Sequence, residues 1–520
     1  MTTFVLVPGA FTGGWVWDEV ATLLRAAGAE AHPVTLPGLG GGEAGETPGA
    51  GPGITGTART EAGDGAPGQI GPETHVDFLV RLLDRLAAPD VVLVGHGYGL
   101  HPAYAAAGLR PGRVGRIVAV DTPLPQDGTA AGDTLPDPRA RMAVDGGTVA
   151  PPGPGGWERR GSTEDIPAAA LERLERRAVP HPADTLTRPF RPAGEAAGLP
   201  VTGLLCTANG SSLDLVRMLV ESGPPQFRAL ADARVSFLEL ATGHWPMLAD
   251  PAGLADALLR AAVGEGERMT APECGPGTDP YDLPFLFEVP EGPRERRGRF
   301  DLHLPAGARP GDPPRPAIVF VHGGPVAADR RPTPRDTPFY LGYGRYAASL
   351  GAIGVTLDHR LHGLADYPLA ADDLAGTVAA VRADPRVDAD RIALWFFSAG
   401  GLLMADWLAA PPPWLRCLAA TYPVLGPLPG WRAVEPRFHP AAFPGTADGP
   451  PLVLTRAGRE HAVFAERVEE YLTAAARTGA EVEIVDVPEG RHGFELLDRT
   501  EESRAAVERA MRSVLARLAA

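Results

Sequence analysis

The chain contains no lysine, so arginine and histidine supply all of its basic side chains. This absence excludes mechanisms that need a lysine Schiff base or a lysine that cradles phosphate. Cysteine is scarce as well: Cys206, Cys274 and Cys417 lie far apart and show neither a metal-ligand spacing nor a disulfide framework. We therefore predict no metal site and expect a reducing compartment.

Long apolar runs and basic blocks are also missing. No apolar stretch reaches membrane-spanning length, and the first residues show no charged segment followed by a long apolar one. We therefore expect a cytoplasmic protein without membrane contact. The formal net charge of −16 argues against a nucleic-acid partner. At 520 residues, the chain is long enough for two domains, each with its own core.

The segment at residues 391–401 carries the clearest functional pattern. An apolar run ends at Ser398, small residues follow, and a helical run begins, which predicts a strand, a sharp turn and a helix. Such an elbow exposes the serine hydroxyl and frees the Ala399 N–H to face an oxyanion. Phe396 replaces the first glycine of the G-x-S-x-G signature, whereas Gly400 fills the last position. The alternative is a serine that caps an ordinary helix.

A second segment suits an oxyanion hole. Residues 317–321 predict a buried strand that leads directly into His322, Gly323 and Gly324. Glycines at this place let the backbone approach a substrate carbonyl, so a backbone N–H near Gly324 is predicted to act together with that of Ala399. The alternative is a glycine turn without function.

Two later residues suit the acid and the base of a catalytic triad. Glu460 follows the strand predicted at residues 452–454, where a carboxylate would orient a histidine and stabilise its cation. His492 follows the last predicted strand, at residues 482–487, where a general base would reach the serine. The alternatives are a surface glutamate and a structural histidine. The chain order of serine, acid and histidine favours the triad.

The first half of the chain repeats this plan without a nucleophile. A predicted strand at residues 91–94 enters a second elbow, Gly-His-Gly-Tyr-Gly, whose centre is Gly97 followed by Tyr98. His244 follows the strand predicted at residues 235–240. No carboxylate follows the strand at 201–206, and Asp121 is the nearest substitute acid. Gly97, Tyr98, Asp121 and His244 therefore form a possible remnant site.

Both halves resemble known α/β-hydrolases. Residues 3–263 resemble the esterase and hydroxynitrile-lyase-like branch, on the pattern P-G-A-F-T-G-G-W at 8–15. Residues 283–518 resemble dienelactone-hydrolase, acyl-peptidase and acetyl-esterase-like serine hydrolases. The second resemblance rests on H-G-G at 322–324, D-A-D-R-I at 388–392, F-S-A-G-G at 397–401 and G-x-H-G-F at 490–494.

The resemblance implies two tandem α/β-hydrolase domains, each a mostly parallel sheet flanked by helices. We predict the first at residues 1–264, a linker at 265–282 and the second at 283–520. A cap is expected at residues 122–200, and a mobile loop at 38–71. Residues 285–289 and 299–304 alternate in polarity and predict an antiparallel hairpin at the start of the second domain.

For the second domain, the resemblance implies a serine hydrolase that cleaves a small-molecule carboxylic ester through an acyl-enzyme, without metal or organic cofactor. The first domain is then non-catalytic or regulatory. Two alternatives stay open. One is a non-enzymatic binding protein in which both sites are defunct. The other is a histidine-based lyase or isomerase activity in the first domain, with His244 as base.

Overall fold

The computed structural model describes residues 1–40, 70–125, 130–134, 144–190, 198–222, 225–270, 280–309, 311–428, 431 and 433–519. The chain forms two compact units. The first comprises Met1–Val220 and Gln226–Ala271, and the second comprises Glu221–Pro225 and Pro272–Ala520. The change of unit between residues 271 and 272 falls within the predicted linker. Cys274 and nearly all of the predicted mobile loop lie outside the described residues.

The first unit is organised around a parallel sheet. Its strands are β1 (Thr3–Val7), β2 (Glu30–Pro33), β3 (Val91–His96), β4 (Val114–Val120), β5 (Val144–Asp145), β6 (Thr148–Val149), β7 (His181–Pro182), β8 (Val201–Cys206) and β9 (Val235–Leu240). Its helices are α1 (Asp18–Ala26), α2 (Pro72–Arg85), α3 (Leu100–Leu109), α4 (Ala168–Arg177), α5 (Ala183–Thr187), α6 (Leu213–Ser222), α7 (Pro246–Ala249) and α8 (Pro251–Ala262).

Six of these strands form the main sheet in the order β2-β1-β3-β4-β8-β9, and all of its neighbours pair in parallel. Every residue of β1 and β3 is buried, as expected for strands that are covered on both faces. The short strands β5, β6 and β7 form a small antiparallel sheet within the predicted cap region. The unit therefore has the α/β-hydrolase fold.

The second unit has a larger mixed sheet. Its strands are β10 (Arg294–Arg297), β11 (Phe300–His303), β12 (Arg315–Val321), β13 (Ile353–Leu357), β14 (Val387–Phe397), β15 (Leu415–Thr421), β16 (Leu452–Arg459) and β17 (Val482–Arg491). Its helices are α9 (Pro338–Ser349), α10 (Tyr367–Arg382), α11 (Met404–Ala409), α12 (Ala462–Thr478), α13 (Phe494–Leu497) and α14 (Glu501–Ala519).

The strand order is β10-β11-β13-β12-β14-β15-β16-β17, with antiparallel pairing only from β10 through β13. The predicted hairpin is therefore wrong in its first strand, because β11 pairs with β10 and not with residues 285–289. The alternating aromatics of that segment pack on α9 instead: Phe285 contacts Tyr343, and Phe287 contacts Tyr346. The alternating pattern at residues 285–289 therefore comes from aromatic side chains that pack on α9, and not from a strand.

Chain order reverses at the centre of each sheet, and this reversal positions the functional residues. In the second unit, β13 and β14 lie on opposite sides of β12, so the crossover connections leave in opposite directions. The turns after β12 and β14 therefore face each other across a crevice at the carboxyl ends of the strands. In the first unit, β2 and β3 flank β1 in the same way.

Among the described residues, no helix is both long and apolar enough to cross a membrane.

Glycine at one helix–strand contact is required by the close approach of α9 to β13. A Cβ on Gly354 would lie 2.2 Å from the carbonyl oxygen of Gly344. A Cβ on Gly376, in α10, would meet no atom within 4 Å. We expect Gly354→Ala to lower the free energy of unfolding by about 1–3 kcal/mol, because helix and strand must separate.

The matched change Gly376→Ala should raise the free energy of unfolding by up to about 1 kcal/mol, because alanine is the better helix former. Urea unfolding of both variants measures the difference. Equal stability of the two variants would contradict the packing described for α9 and β13.

Candidate active site

The elbow of the second unit places a serine at the end of β14. Ser398 has a φ of +49°, a left-handed backbone conformation that is strained for a residue with a side chain. A Cβ on Gly400 would lie 2.6 Å from the carbonyl oxygen of His322. The elbow is therefore held tightly against the turn that follows β12. Phe396 belongs to β14 and is fully buried in the sheet, so it does not obstruct the elbow.

Ser398, His492 and Glu460 form a continuous hydrogen-bonded chain. The Oγ of Ser398 lies 2.7 Å from Nε2 of His492. On the other side of the ring, Nδ1 lies 2.8 Å from Oε2 of Glu460. The side chains of His492 and Glu460 are only 5% and 7% exposed, so little water weakens this contact. The three residues follow β14, β16 and β17, whose carboxyl ends meet at one sheet edge.

One further hydrogen bond and two neighbouring rings fix the orientation of Glu460 and His492. The second carboxylate oxygen of Glu460 accepts the His461 N–H at 2.9 Å. The His492 ring lies between Tyr422 and Phe464, with centroids 4.8 and 4.9 Å away. Side chains locked in this way keep the imidazole in one position. Asp486, within β17, pairs instead with the exposed Arg456.

The turn after β12 lies directly against the elbow. A Cβ on Gly323 would lie 3.0 Å from Cβ of Ser398 and 3.6 Å from the Ala399 nitrogen. The backbone of this turn therefore reaches the place where the oxygen of a bound carbonyl would lie. The Gly323 N–H donates a long hydrogen bond of 3.4 Å to the hydroxyl of Tyr340. The hydroxyl accepts this bond, so its own O–H can donate to a neighbouring acceptor.

Stacked imidazoles support the same turn. The rings of His322 and His359 lie 3.6 Å apart and nearly parallel. His359 also contacts the carbonyl oxygen of His322 through Nε2, at 2.9 Å. Burial lowers the pKa of His322 to about 4 and that of His359 well below its usual range, so the pair is neutral. Two neutral rings can stack without charge repulsion.

A second buried carboxyl group lies close behind the triad. Glu495 is 1% exposed and accepts a hydrogen bond of 2.7 Å from the Tyr343 hydroxyl. Burial raises the pKa of Glu495 to about 7, although hydrogen bonds from Tyr343 and Tyr422 oppose the shift. Tyr422 in turn packs against His492. Glu495 is thus linked to the triad through Tyr422.

The first unit also brings an acid and a histidine together. Nδ1 of His244 lies 2.8 Å from Oδ2 of Asp121. Burial opposes charge on Asp121, but hydrogen bonds from His244 and the Cys206 N–H outweigh it and lower the pKa of Asp121. Gly97 occupies the centre of the elbow with a φ of +49°. Tyr98 is buried, and its hydroxyl lies 2.6 Å from Nδ1 of His75.

Sequence reasoning missed Tyr340, Tyr422, Phe464 and Glu495. None of them belongs to a recognised motif, and each looks like an ordinary core residue in its helix or loop. Only Glu495 carried a signal, since a glutamate three residues after His492 lies on an otherwise apolar turn. Among the described residues, no group of three or more histidine, cysteine, aspartate or glutamate side chains could hold a metal ion.

The comparison with protein families agrees with the fold of the first unit. Residues 4–257 match the alpha/beta hydrolase family. This range spans β1 through most of α8, so the match lies within the first unit. The family match covers Gly97, which leaves the unit without the serine that the fold normally carries at this position.

Individual relatives are more distant. A carbendazim hydrolyzing esterase from Nocardioides sp. (strain SG-4G) is 28% identical over 136 residues, which cover 26% of this chain. The match spans 48% of that esterase, so this chain aligns with about half of its length.

Solved structures are similar at low TM-scores. A thermophilic esterase from Thermogutta terrifontis is 21% identical, covers 44% of this chain and 95% of its own, and has a TM-score of 0.36. An extracellular alpha/beta-hydrolase from a Paenibacillus species is 21% identical, covers 50% of this chain and 99% of its own, and has a TM-score of 0.38. At these scores the likeness supports no inference about activity.

The raised pKa of Glu495 makes stability depend on pH in a known direction. Because the folded state keeps the proton up to about pH 7 and the unfolded chain loses it near 4.5, stability falls as pH rises between these values. Glu495→Gln keeps the acceptor for Tyr343 but cannot ionise. We expect the variant to gain about 3 kcal/mol over wild type between pH 4 and pH 8.

Urea unfolding of both proteins across this pH range measures the gain. Parallel stability curves for the variant and the wild type would show that Glu495 does not titrate there.

Proposed function

We propose that the second unit is a serine hydrolase that cleaves carboxylic esters through an acyl-enzyme. The observation that carries this proposal is the hydrogen-bonded chain from Ser398 Oγ through His492 to Glu460, with contacts of 2.7 and 2.8 Å. A serine alone is a weak nucleophile, and a base oriented by a buried carboxylate activates it. The strained φ of +49° at Ser398 fits an elbow that presents a nucleophile.

The first half-reaction forms the acyl-enzyme. Ser398 Oγ attacks the ester carbonyl carbon as His492 Nε2 takes the hydroxyl proton. The imidazolium that forms keeps its Nδ1–H on Glu460, which stabilises the positive charge. The tetrahedral intermediate collapses when Nε2 gives the proton to the departing alkoxide. Water then attacks the acyl carbon as Nε2 takes one of its protons, and Nε2 gives that proton to Ser398 Oγ as the bond to the acid breaks.

Backbone donors stabilise the developing oxyanion. The Ala399 N–H follows the nucleophile directly, and Gly323 lies against it, whereas a Cβ on Gly324 would meet Leu361 at 3.2 Å and not the elbow. We further propose that the Tyr340 hydroxyl donates to the same oxyanion. It already contacts the Gly323 N–H, and burial raises its pKa well above the usual range, so it keeps its proton. A preformed donor of this kind costs no reorganisation during the reaction.

An ester is favoured over a peptide bond because the sequence offers no feature that would select peptides, and no carrier-docking feature that would favour a thioester. The carbendazim hydrolyzing esterase that matches part of this chain is an esterase by name, which agrees with an ester as the substrate. The competing candidate is a binding protein whose sites are both defunct. It would have to keep the geometry of the triad without using it.

Removal of the serine hydroxyl distinguishes the hydrolase from the binding protein. We expect a fluorophosphonate probe to label the wild type at one site, and Ser398→Ala to abolish labelling and the ester turnover that proceeds through an acyl-enzyme. Ser349→Ala serves as control, because Ser349 is exposed at the end of α9. Intact-mass spectrometry counts the adduct. Unchanged labelling of Ser398→Ala, or a folded wild type that neither reacts nor turns over esters, would reject the hydrolase.

Tyr340→Phe tests the third oxyanion donor. We expect kcat to fall roughly 100-fold with little change in KM, because the hydroxyl acts mainly on the transition state. Tyr346→Phe, on the same helix, should leave both constants near the wild-type values. Steady-state kinetics on a p-nitrophenyl ester measures the effect. An equal loss in kcat for the two variants would mean that the Tyr340 hydroxyl only supports packing.

A further inference from the structure

The acid and the histidine of the first unit are arranged as a working pair. Asp121 accepts the Cys206 N–H at 3.1 Å and the Asn209 side-chain amide at 2.7 Å, in addition to His244. Its side chain is fully buried, whereas that of His244 is 15% exposed. Because the anionic carboxylate binds Nδ1–H, the neutral ring presents Nε2 as an acceptor. A neutral His96 fixes the backbone of His244 through a contact of 2.8 Å to its carbonyl oxygen.

The elbow opposite this ring keeps the geometry of a nucleophile elbow. Gly97 and Ser398 have the same φ of +49°, so the two elbows match in this backbone angle. A Cβ on Gly97 would lie 4.0 Å from Nε2 of His244 and 3.8 Å from Cα of Gly9. Both distances are ordinary contacts, so the place of a serine side chain is open. A polar group that occupied it could hydrogen-bond to Nε2.

We propose that a water molecule occupies this place and that the first unit hydrolyses carboxylic esters with a small apolar acyl group by general-base catalysis. This activity is independent of Ser398. His244 Nε2 takes a proton from the water while the water oxygen bonds to the ester carbonyl carbon. The backbone N–H of Tyr98, next after Gly97, faces the oxyanion. The imidazolium then returns the proton to the leaving alkoxide as the C–O bond breaks, giving acid and alcohol without a covalent adduct.

The residues around the pair determine the substrate class. The ring centroid of Trp245 lies 4.9 Å from that of His244 and 5.6 Å from that of Trp157. The ring centroids of Trp157 and Phe11 are 6.4 Å apart. All three rings are buried. A cationic substrate would lose its hydration among these rings, and Arg160, whose guanidinium lies 5.3 Å from the Phe11 ring centroid, would repel it. A neutral ester with a small apolar acyl group would gain from the same contacts.

The test uses the full-length protein with its other site silenced. In a Ser398→Ala background, we expect residual hydrolysis of p-nitrophenyl acetate without a covalent adduct. Adding His244→Ala should lower this residual kcat/KM at least tenfold, in keeping with the usual contribution of a general base. Adding His32→Ala should not change it. His32 is a matched control, because it also pairs with a carboxylate, Glu30, at 3.1 Å.

Two changes at Gly97 test the position of the water and do not disturb the buried Asp121. Gly97→Ala fills the open place with a methyl group, so in the same background it should lower the residual rate as far as His244→Ala does. Gly97→Ser supplies the missing hydroxyl within reach of Nε2, so it should make the Ser398→Ala protein reactive to the fluorophosphonate probe. Adduct formation at residue 97 is located by peptide mass spectrometry.

Two results would overturn the proposal. One is a residual rate in the Ser398→Ala background that neither His244→Ala nor Gly97→Ala changes. The other is a folded Gly97→Ser protein that the probe does not label, since His244 would then not face the elbow as described. Labelling of the wild type at Ser398 is read separately, so the outcome for the second unit does not affect this one.

Discussion

In each unit, the turn after one central strand touches the elbow after its neighbour so closely that only glycine fits. A Cβ on Gly400 would lie 2.6 Å from the His322 carbonyl oxygen, and a Cβ on Gly99 would lie 2.4 Å from that of Pro8. In the second unit, this approach holds Ser398 in its strained left-handed conformation, which an isolated turn would not keep. The rest of each site is built around this contact.

The other residues of each site lie at the ends of parallel strands. Their carboxyl ends lie at one edge of the sheet, so residues that are far apart in the chain meet there. Glu460 and His492 follow two adjacent strands, β16 and β17, and Ser398 follows β14. The hydrogen bonds among the three are buried, which strengthens them and fixes which nitrogen of His492 faces the serine. A rigid sheet thus keeps the chain of contacts in place.

The elbows of the two units differ in one side chain at an equivalent backbone position. Gly97 and Ser398 share their φ, and each lies opposite a histidine that is paired with a buried carboxylate. Glycine adopts a left-handed conformation without strain, whereas serine needs support from the surrounding structure. The first unit therefore has an acid–histidine pair but no hydroxyl at residue 97.

The sequence by itself determined the fold class and the chain order of the candidate residues, whereas β16 and β17 end at Arg459 and Arg491 and not at the predicted positions 454 and 487. Apolar runs that stop at Gly97 and Ser398 indicated the elbows, and their small neighbours indicated close packing. The sequence named Asp121 as the substitute acid, but only the tertiary structure showed that it contacts His244, that Tyr340 reaches Gly323, and that Glu495 lies behind the triad. The physical reason is that a chain pattern records local periodicity, whereas hydrogen bonds between side chains depend on distances set by sheet order and helix packing.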